Sequence, residues 1–327
     1  MRVSYKNLKD EFKRVLLKLS FKEEKAELCA SIFAANSRDG VYSHGINRFP
    51  VFVKYVKEGL IQIQAEPELV EQNGLIEKWD GQFGPGMYNA TKAMDRAISL
   101  AKTNGIGCVV VKNTNHWMRG GTYGWQAADA GCIGICFTNT IANMPPWGGK
   151  EPRLGNNPLV IAVPRHDGHI VLDMAMSQFS YGKLQEYDLN KKKLPIPGGY
   201  DVSGNLTDDP SAIIKSQRAL PIGFWKGSGL SLILDVLLTA LTGGQSTFKI
   251  SSTENETGLS QFFLCLYQHN YSSLLIEEII QNSKSGSLVK SNQPILYPGE
   301  NTLATRKKNE EEGIPVNTEI WSTILEM

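Results

Sequence analysis

The sequence predicts a mixed α and β fold whose strands are largely antiparallel. Three observations lead to this prediction. Helical and strand periods alternate between about residues 90 and 138. Residues 69–79 and 159–174 each hold two short strands joined by a tight turn, which argues against a purely parallel sheet. No Gly-x-Gly-x-x-Gly or phosphate-loop motif follows a strand, so an ordinary Rossmann domain is not expected.

The composition is that of an ordinary soluble enzyme. The chain has 327 residues, enough for roughly two domains. Its formal net charge is +1 with Lys and Arg dispersed, so we expect no nucleic-acid partner. The longest apolar run, residues 230–241, is too short to span a bilayer, so no membrane partner is expected either. Five scattered cysteines predict a cytoplasmic location, and without a cluster of ligand spacing no metal site is expected.

The first 65 residues are predicted to be helical. Apolar residues recur at helical spacing over residues 8–19 and 23–37, after which Gly40 suits a helix stop. Ser43 can cap a further turn. Pro50 then either breaks that turn or begins a helix over residues 51–59.

The middle of the chain is predicted to form the sheet and its attached helices. Asn73-Gly74 suits a type I′ turn between strands at residues 69–72 and 75–79. Pro, Gly and Asp predict a long loop over residues 194–210. Periodicity predicts the other elements: helices at 90–103, 122–130, 319–325 and, as a buried helix, 230–241, and strands at 107–112, 133–138, 159–164, 169–174 and 260–267.

His44 and Arg48 form the most informative pair in the sequence. An imidazole suits proton transfer near neutral pH, and a guanidinium can hold a carboxylate through two hydrogen bonds. A spacing of four residues places the two side chains on one face of a helix, or close together in an extended segment. A small 2-oxo acid needs both groups, because its carboxylate must be held while its ketone oxygen accepts a proton. The pair therefore indicates a 2-oxo acid site.

Three further features each have a functional and a structural interpretation. His116 lies in a glycine-bearing loop after a strand, a typical place for function, and the less favoured alternative is that backbone contacts satisfy it. Lys226 and residues 227–229 (GSG) precede an apolar helix, where they either bind a pyrophosphate or permit close packing. Asp173 lies in an apolar strand, where an unpaired carboxylate is unfavourable, so we expect it to have a fixed partner.

The chain resembles the type 2 malate/L-lactate dehydrogenase family of nicotinamide-dependent oxidoreductases. The resemblance extends nearly end to end and is carried by residues 42–50 (YSHGINRFP), 115–126 (NHWMRGGTYGWQ), 144–148 (MPPWG) and 223–229 (GFWKGSG). It implies a non-Rossmann fold in which a mixed sheet within residues 66–299, with room for a smaller inserted subdomain, binds the cofactor. A helical region of residues 1–65 would pack with residues 300–327. It also implies a homodimer with the active site near the subunit contact.

The resemblance also implies roles for individual residues. His44 is the expected proton donor, with Arg48 and His116 on the substrate side. The implied cofactor is NADH, with NADPH left open, because residues 298–301 (PGEN) replace the Pro-Gly-His-Glu usual in the most similar subgroup. The loop before residue 169 is also one residue longer. The expected cofactor contacts are Thr140, His169, Ile170, Val171, Leu172, Asp173, Met174, Ala175, Trp225, Lys226, Gly299, Glu300 and Asn301.

The expected reaction is hydride reduction of a small 2-oxo acid, with a sugar-derived acid favoured as substrate. Malate, lactate, sulfolactate, ureidoglycolate and cyclic imino acids stay open as alternatives, because relatives in one family differ mainly in substrate. A remoter alternative is a non-catalytic, nucleotide-binding regulator. The joint presence of His44, Arg48 and His116 argues against it.

Overall fold

The computed structural model describes residues 1–270, 272–290 and 292–327, and it contains one large sheet flanked by helices. A 3₁₀ turn spans Tyr42–His44. The helices are α1 (Tyr5–Lys18), α2 (Glu23–Arg38), α3 (Phe49–Lys57), α4 (Gly86–Asn104), α5 (Gly121–Asp129), α6 (Tyr181–Leu189), α7 (Pro210–Ser216), α8 (Trp225–Thr242), α9 (Thr247–Ile250), α10 (Ser273–Lys284), α11 (Glu300–Glu312) and α12 (Thr318–Glu326). The strands are β1 (Arg2–Val3), β2 (Glu68–Asn73), β3 (Ile76–Asp80), β4 (Ile106–Thr114), β5 (Ile133–Thr138), β6 (Ala142–Met144), β7 (Leu154–Gly155), β8 (Leu159–Val163), β9 (Ile170–Met174), β10 (Gly199–Tyr200), β11 (Leu206–Thr207), β12 (Leu259–Leu266) and β13 (Ile314–Pro315).

The helices of the N-terminal region follow their apolar periodicity. α1 and α2 bury one stripe each, and their aromatic side chains meet Phe49 of α3 in a shared core. Gly40, with φ +84°, follows α2 at the predicted stop. Pro50 lies in the first turn of α3, where a backbone N–H has no partner within the helix. Its missing N–H therefore costs no hydrogen bond, and Pro50 does not break the helix. β1 pairs with β13, so the two chain ends meet. The domain boundary near residue 65 stays a prediction.

The seven-stranded sheet confirms the mixed, largely antiparallel fold. Its strand order is β2-β3-β4-β12-β5-β8-β9, and every neighbouring pair is antiparallel except β3 with β4. α4 and α5 cover one face around Met94, Val109 and Phe263. α8 packs on the other face through Leu234 and Leu238.

The first hairpin turns one residue later than predicted. Asn73 pairs with Ile76, so the two-residue loop is Gly74-Leu75. Gly74 has φ +59°, but Leu75 does not have a positive φ, whereas a type I′ turn requires it at both central positions. The predicted turn type was therefore wrong. β3 pairs with β4 in parallel from Ile76 onward. This pairing fixes the first residue of β3, and so the turn must end before Ile76.

Two predictions in the second half of the chain need correction. Residues 194–210, predicted as an unbroken loop, contain the paired strands β10 and β11. Periodicity predicted no helix at residues 300–312, where α11 forms, although the family resemblance implied a helical region drawn from both chain ends. The sequence of α11 is highly charged and has no apolar stripe, so periodicity could not reveal it. Tertiary contacts hold it instead: Asn309 Nδ2 donates a hydrogen bond to the carbonyl of Arg38.

α8 was predicted to be buried and is only half covered. Leu234 and Leu238 are buried against the sheet. Leu232, Ile233 and Val236 are 51%, 52% and 52% exposed. The helix is apolar around its whole circumference, but a single sheet face covers only one side of it. Within the described ranges, no helix combines the length and apolar character needed to cross a membrane.

Candidate active site

The first part of the site is a rigid turn that presents His44. Asn36 Nδ2 donates to the carbonyl of His44 at 2.9 Å, and Ser37 Oγ accepts from the backbone N–H of Ile46 at 2.8 Å. Gly45 approaches α2 so closely that a Cβ there would lie 2.2 Å from Ser37 Oγ. The glycine of this motif therefore has a packing reason, and α2 fixes the position of the imidazole.

His116 occupies the loop between β4 and α5. Its Nδ1 accepts a hydrogen bond from the backbone N–H of Met118 at 2.9 Å, so its proton is on Nε2. Trp117, the next residue, is buried in the sheet core against Tyr123 and Phe263. The structural interpretation of this loop is therefore correct, since a backbone contact anchors the histidine. The same ring lines a cavity, and its functional role stays a prediction.

His44, Arg48 and His116 line one cavity of about 470 Å³. The two imidazole rings are stacked, with centroids 5.5 Å apart and planes 17° from parallel. Arg48 precedes α3 and keeps 30% of its side chain exposed. The volume suits a small ligand that is mostly enclosed. The structure therefore brings the three residues of the predicted catalytic set together.

Burial makes both histidines weak bases. Burial, His116, Arg48 and Arg119 together lower the pKa of His44 to about 3, and Glu256 only partly opposes this. Burial and Arg48 lower the pKa of His116 to about 3 as well. Both rings are therefore neutral near pH 7 before a ligand binds. An anion bound at Arg48 would offset the positive charge that opposes protonation of His44.

Glu256 is a site residue that sequence reasoning missed. Its Oε2 lies 3.7 Å from Nη2 of Arg48, and its Oε1 accepts the backbone N–H of Ile141 at 3.0 Å. The side chain is only 12% exposed. It belongs to the polar segment between α9 and β12, which carries no motif, so only the tertiary structure reveals its position.

The cavity lining also includes Thr140, one of the expected cofactor contacts. Its hydroxyl donates to Asn156 Oδ1 at 3.1 Å, and its backbone N–H donates to Asn157 Oδ1 at 3.0 Å. Asn143 Oδ1 is buried and accepts no hydrogen bond from the described residues. This part of the lining is therefore polar, uncharged and incompletely satisfied.

Asp173 has the fixed partner that was predicted, although its side chain is 26% exposed rather than buried. Its Oδ2 accepts the backbone N–H of Gly121 at 2.9 Å, at the N-terminus of α5, and lies 3.5 Å from Nε of Arg119. Arg119 in turn donates to Asp39 Oδ2 at 2.8 Å, and Arg306 donates to both oxygens of Asp39 at 2.8 Å. This charge network, which is buried at Asp39 and Arg119, ties α2, α5, β9 and α11 together. Asp173 does not line the cavity of His44, so a direct role at the substrate is not supported by its position.

Two of the expected cofactor segments lie side by side. The backbone N–H of Val171 donates to the carbonyl of Pro298 at 2.9 Å, so β9 contacts the start of α11. Gly299 has φ +98°, and a Cβ there would lie 3.1 Å from the Val171 nitrogen, which explains the glycine. His169 Nε2 lies 2.9 Å from Asp129 Oδ1. Around this contact are Ile170, Leu172 and Met174 in β9, Ala175 directly after it, and Glu300 and Asn301 in the first turn of α11.

The third segment is the first turn of α8. Trp225 is 65% exposed, and Lys226 is exposed beside it. A Cβ at Gly227 would lie 2.4 Å from the carbonyl of Ile222, so the packing interpretation of that glycine is correct. The helix N-terminus with Lys226 still forms a place where an anion is favoured. Neither Trp225 nor Lys226 lines the cavity with His44.

The donor set fits a dinucleotide better than a metal. An accessible lysine at a helix N-terminus suits a pyrophosphate, and an exposed tryptophan suits a ring. The backbone of Gly299 lies close to that of Val171, and because Gly299 has no side chain, only backbone atoms are present at that position. By contrast, no group of three or more His, Cys, Asp or Glu in the described part of the chain could hold a metal ion.

Comparisons with known proteins identify relatives along the whole chain. Residues 3–325 match the family model described as malate/L-lactate dehydrogenase. A curated protein of Escherichia coli named 2,3-diketo-L-gulonate reductase is 44% identical over 330 aligned residues, which cover 99% of each chain. The resemblance inferred from the four sequence motifs is therefore confirmed.

Solved structures give the same result for the fold. Sulfolactate dehydrogenase from Methanocaldococcus jannaschii superposes with a TM-score of 0.90 at 30% identity, covering 100% of this chain and 96% of that one. Malate dehydrogenase from Entamoeba histolytica superposes with a TM-score of 0.94 at 26% identity, with the same coverage. These proteins share the mixed sheet and differ in the acids that their names specify.

Proposed function

Because the chain belongs to the malate/L-lactate dehydrogenase family, we propose that it reduces 2,3-diketo-L-gulonate to 3-dehydro-L-gulonate with NADH. Membership makes the protein an oxidoreductase that acts on 2-hydroxy or 2-oxo acids with a nicotinamide cofactor. The specific substrate is supported by the 44% identical relative of that name. The observation that carries the proposal is the convergence of His44, Arg48 and His116 on one cavity.

The roles of the three residues follow from their hydrogen bonds. Arg48 would hold the substrate carboxylate and so fix which face of the ketone is presented. His44 Nδ1 lies 3.2 Å from Ser43 Oγ, which leaves Nε2 to deliver the proton to the ketone oxygen. His116 Nδ1 accepts from Met118, so its Nε2–H can donate to a substrate oxygen. The bound nicotinamide would supply the hydride, and the chain supplies position and charge.

Proton transfer requires His44 to gain a proton as the oxo acid binds. The empty site disfavours its charged form, with a pKa of about 3. A carboxylate at Arg48 removes one opposing charge, and negative charge developing on the ketone oxygen favours the imidazolium further. The site is therefore tuned so that the proton is held firmly only when substrate is present.

NADH is proposed over NADPH on the charge at the cofactor end of the site. Glu300 is acidic and lies in the first turn of α11, next to β9. Its carboxylate pairs with Lys284, and if it also accepted from the ribose hydroxyls it would disfavour the extra 2′-phosphate of NADPH. Initial rates measured with each cofactor at equal oxo acid concentration test this assignment.

A homodimer and a cytoplasmic location complete the proposal. The homodimer is supported by the uncovered apolar side of α8, with Leu232, Ile233 and Val236 exposed. A contiguous surface of that kind is unusual on a monomer and suits a second copy of the chain. The cytoplasmic location is supported by the five cysteines, which are all unpaired and buried.

A panel of oxo acids tests the function. The purified protein would be assayed by the loss of reduced-nicotinamide absorbance with 2,3-diketo-L-gulonate, pyruvate, oxaloacetate, sulfopyruvate and a cyclic imino acid. We expect the highest kcat/KM with 2,3-diketo-L-gulonate. A higher value with another acid would make the protein a sister enzyme of the family. No oxidation of NADH or NADPH with any of them would favour a nucleotide-binding regulator.

A further inference from the structure

The charges around the cavity are few and balanced. Arg48 supplies one positive charge and Glu256 one negative charge. His44 and His116 are neutral near pH 7, since their pKa values lie at about 3. The other described side chains that line the cavity are uncharged. The site therefore offers one cation for one carboxylate, and it offers no second cation for a second carboxylate.

Glu256 keeps one carboxylate oxygen available to a ligand. Its Oε1 is held by the backbone N–H of Ile141 at 3.0 Å. Its Oε2 is 3.7 Å from Nη2 of Arg48, which is an ion pair longer than a hydrogen bond. With 12% of the side chain exposed, little water screens this charge, so a ligand anion near it would be repelled strongly.

The rest of the cavity lining favours hydroxyl groups. Asn143 lines the cavity and contributes an amide group to it. Asn156, Gln185 and Gln217 add further amide groups to the lining. A ligand that carries several hydroxyls can donate to Glu256 and form hydrogen bonds with these amides at once, whereas a plain alkyl chain can do neither.

We propose that Glu256 determines substrate specificity: it accepts a hydrogen bond from a hydroxyl of a polyhydroxylated 2-oxo monocarboxylate and excludes 2-oxo dicarboxylates. This inference rests on the proposed function, because it assumes that Arg48 holds the carboxylate beside the reacting ketone. Arg48 would bind the carboxylate that all 2-oxo acids share. Glu256 would discriminate among these acids by accepting a hydrogen bond from a hydroxyl and by repelling a second carboxylate.

Three probes and the variant Glu256→Gln test the proposal. Glutamine can still accept the N–H of Ile141 through its carbonyl oxygen, so the loop keeps its anchor while the charge is lost. The probes are 2,3-diketo-L-gulonate, oxaloacetate and 2-oxobutanoate, which has the chain length of oxaloacetate without the distal carboxylate. Any change in how Arg48 binds the carboxylate affects all three probes alike, so it cancels in the ratios of their kcat/KM values.

We expect the ratio of oxaloacetate to 2-oxobutanoate to rise about tenfold in the variant, because the repulsion is removed. The ratio of 2,3-diketo-L-gulonate to 2-oxobutanoate should fall about tenfold, because a hydrogen bond to a charged acceptor is lost. Glu254→Gln is the matched control, since it removes the same charge from an exposed position in the same loop. Glu256→Asp retains the charge and should still reject oxaloacetate, even if Glu256→Gln fails to fold.

The outcomes separate this inference from the proposed function. Unchanged ratios in Glu256→Gln, or equal shifts in Glu254→Gln, would overturn the role of Glu256 while wild-type reductase activity stands. Efficient reduction of oxaloacetate by the wild-type protein would overturn it as well. A wild-type protein inactive on every oxo acid would instead refute the proposed function itself.

Discussion

The low pKa of His44 predicts an unusual pH dependence of oxo acid reduction. If His44 donates the proton, kcat/KM depends on the fraction of its ring that is protonated before the oxo acid binds. With a pKa of about 3, that fraction is about one in ten thousand at pH 7. An ordinary histidine, with a pKa near 6.5, would be about one quarter protonated at the same pH.

The direction follows from the sign of the pKa shift. Because the pKa is lowered, the protonated fraction falls tenfold per pH unit across the whole range above about pH 4. We therefore expect log kcat/KM for reduction to fall with a slope of about −1 from pH 5 to pH 8. The reverse oxidation uses the neutral ring as a base, so its kcat/KM should not change with the protonation of His44 over that range.

The assay is the steady-state rate of reduced-nicotinamide consumption at fixed ionic strength, measured for wild type, His44→Asn and His116→Asn. His44→Asn should lower kcat by about 100-fold or more and abolish the slope, while binding of reduced cofactor stays nearly unchanged. His116→Asn should retain the slope, since its amide can still accept the N–H of Met118. A plateau below pH 6 with an inflection near 6.5 would refute the argument from burial. Loss of the slope only in His116→Asn would make that residue the proton donor.

Three further predictions concern binding, stability and assembly. Arg48→Lys should raise KM for the oxo acid at least tenfold in steady-state assays, because an ammonium cannot reproduce the paired hydrogen bonds of a guanidinium; a normal KM would show that the carboxylate is held elsewhere. Asp39→Asn should reduce the free energy of unfolding by about 3–5 kcal/mol, since Arg119 and Arg306 lose their shared carboxylate and Arg119 is only 6% exposed. Thermal and urea unfolding would check this, and a loss below about 1 kcal/mol would contradict it. Leu232→Glu should shift the protein to monomer in sedimentation velocity, and an unchanged sedimentation coefficient would show that this side of α8 is not the contact.

Much of the fold could be read from local pattern. The strand at residues 133–138 has the predicted bounds, and α2 differs from its prediction by one residue. In these elements apolar residues recur at a regular period, because one or both sides of each element are buried. The period can therefore be read from the sequence. The sequence of α11 shows no apolar period, because the helix is held by contacts with Asp39 and with the carbonyl of Arg38 and not by an apolar stripe.

The candidate site divides in the same way. Its motif residues His44, Arg48 and His116 were recognisable because their side chains have a distinctive chemistry and because the strings around them match a family. Glu256 was not, because a glutamate in a polar loop looks like any solvated charge until the fold buries it beside Arg48. The segments expected to bind the cofactor were named one by one, and only the hydrogen bond between β9 and the residues before α11 shows that two of them lie together.

The amino-acid sequence was enough to establish the class of fold and the family and to predict which residues bind a keto acid and move a proton, since each of these depends on side-chain chemistry and short-range period. The tertiary structure alone decided the protonation state of the histidines, the partner of Asp173, the uncovered side of α8 and the acidic neighbour of Arg48. Those properties depend on burial and on distances between segments far apart in the chain, which no local pattern encodes.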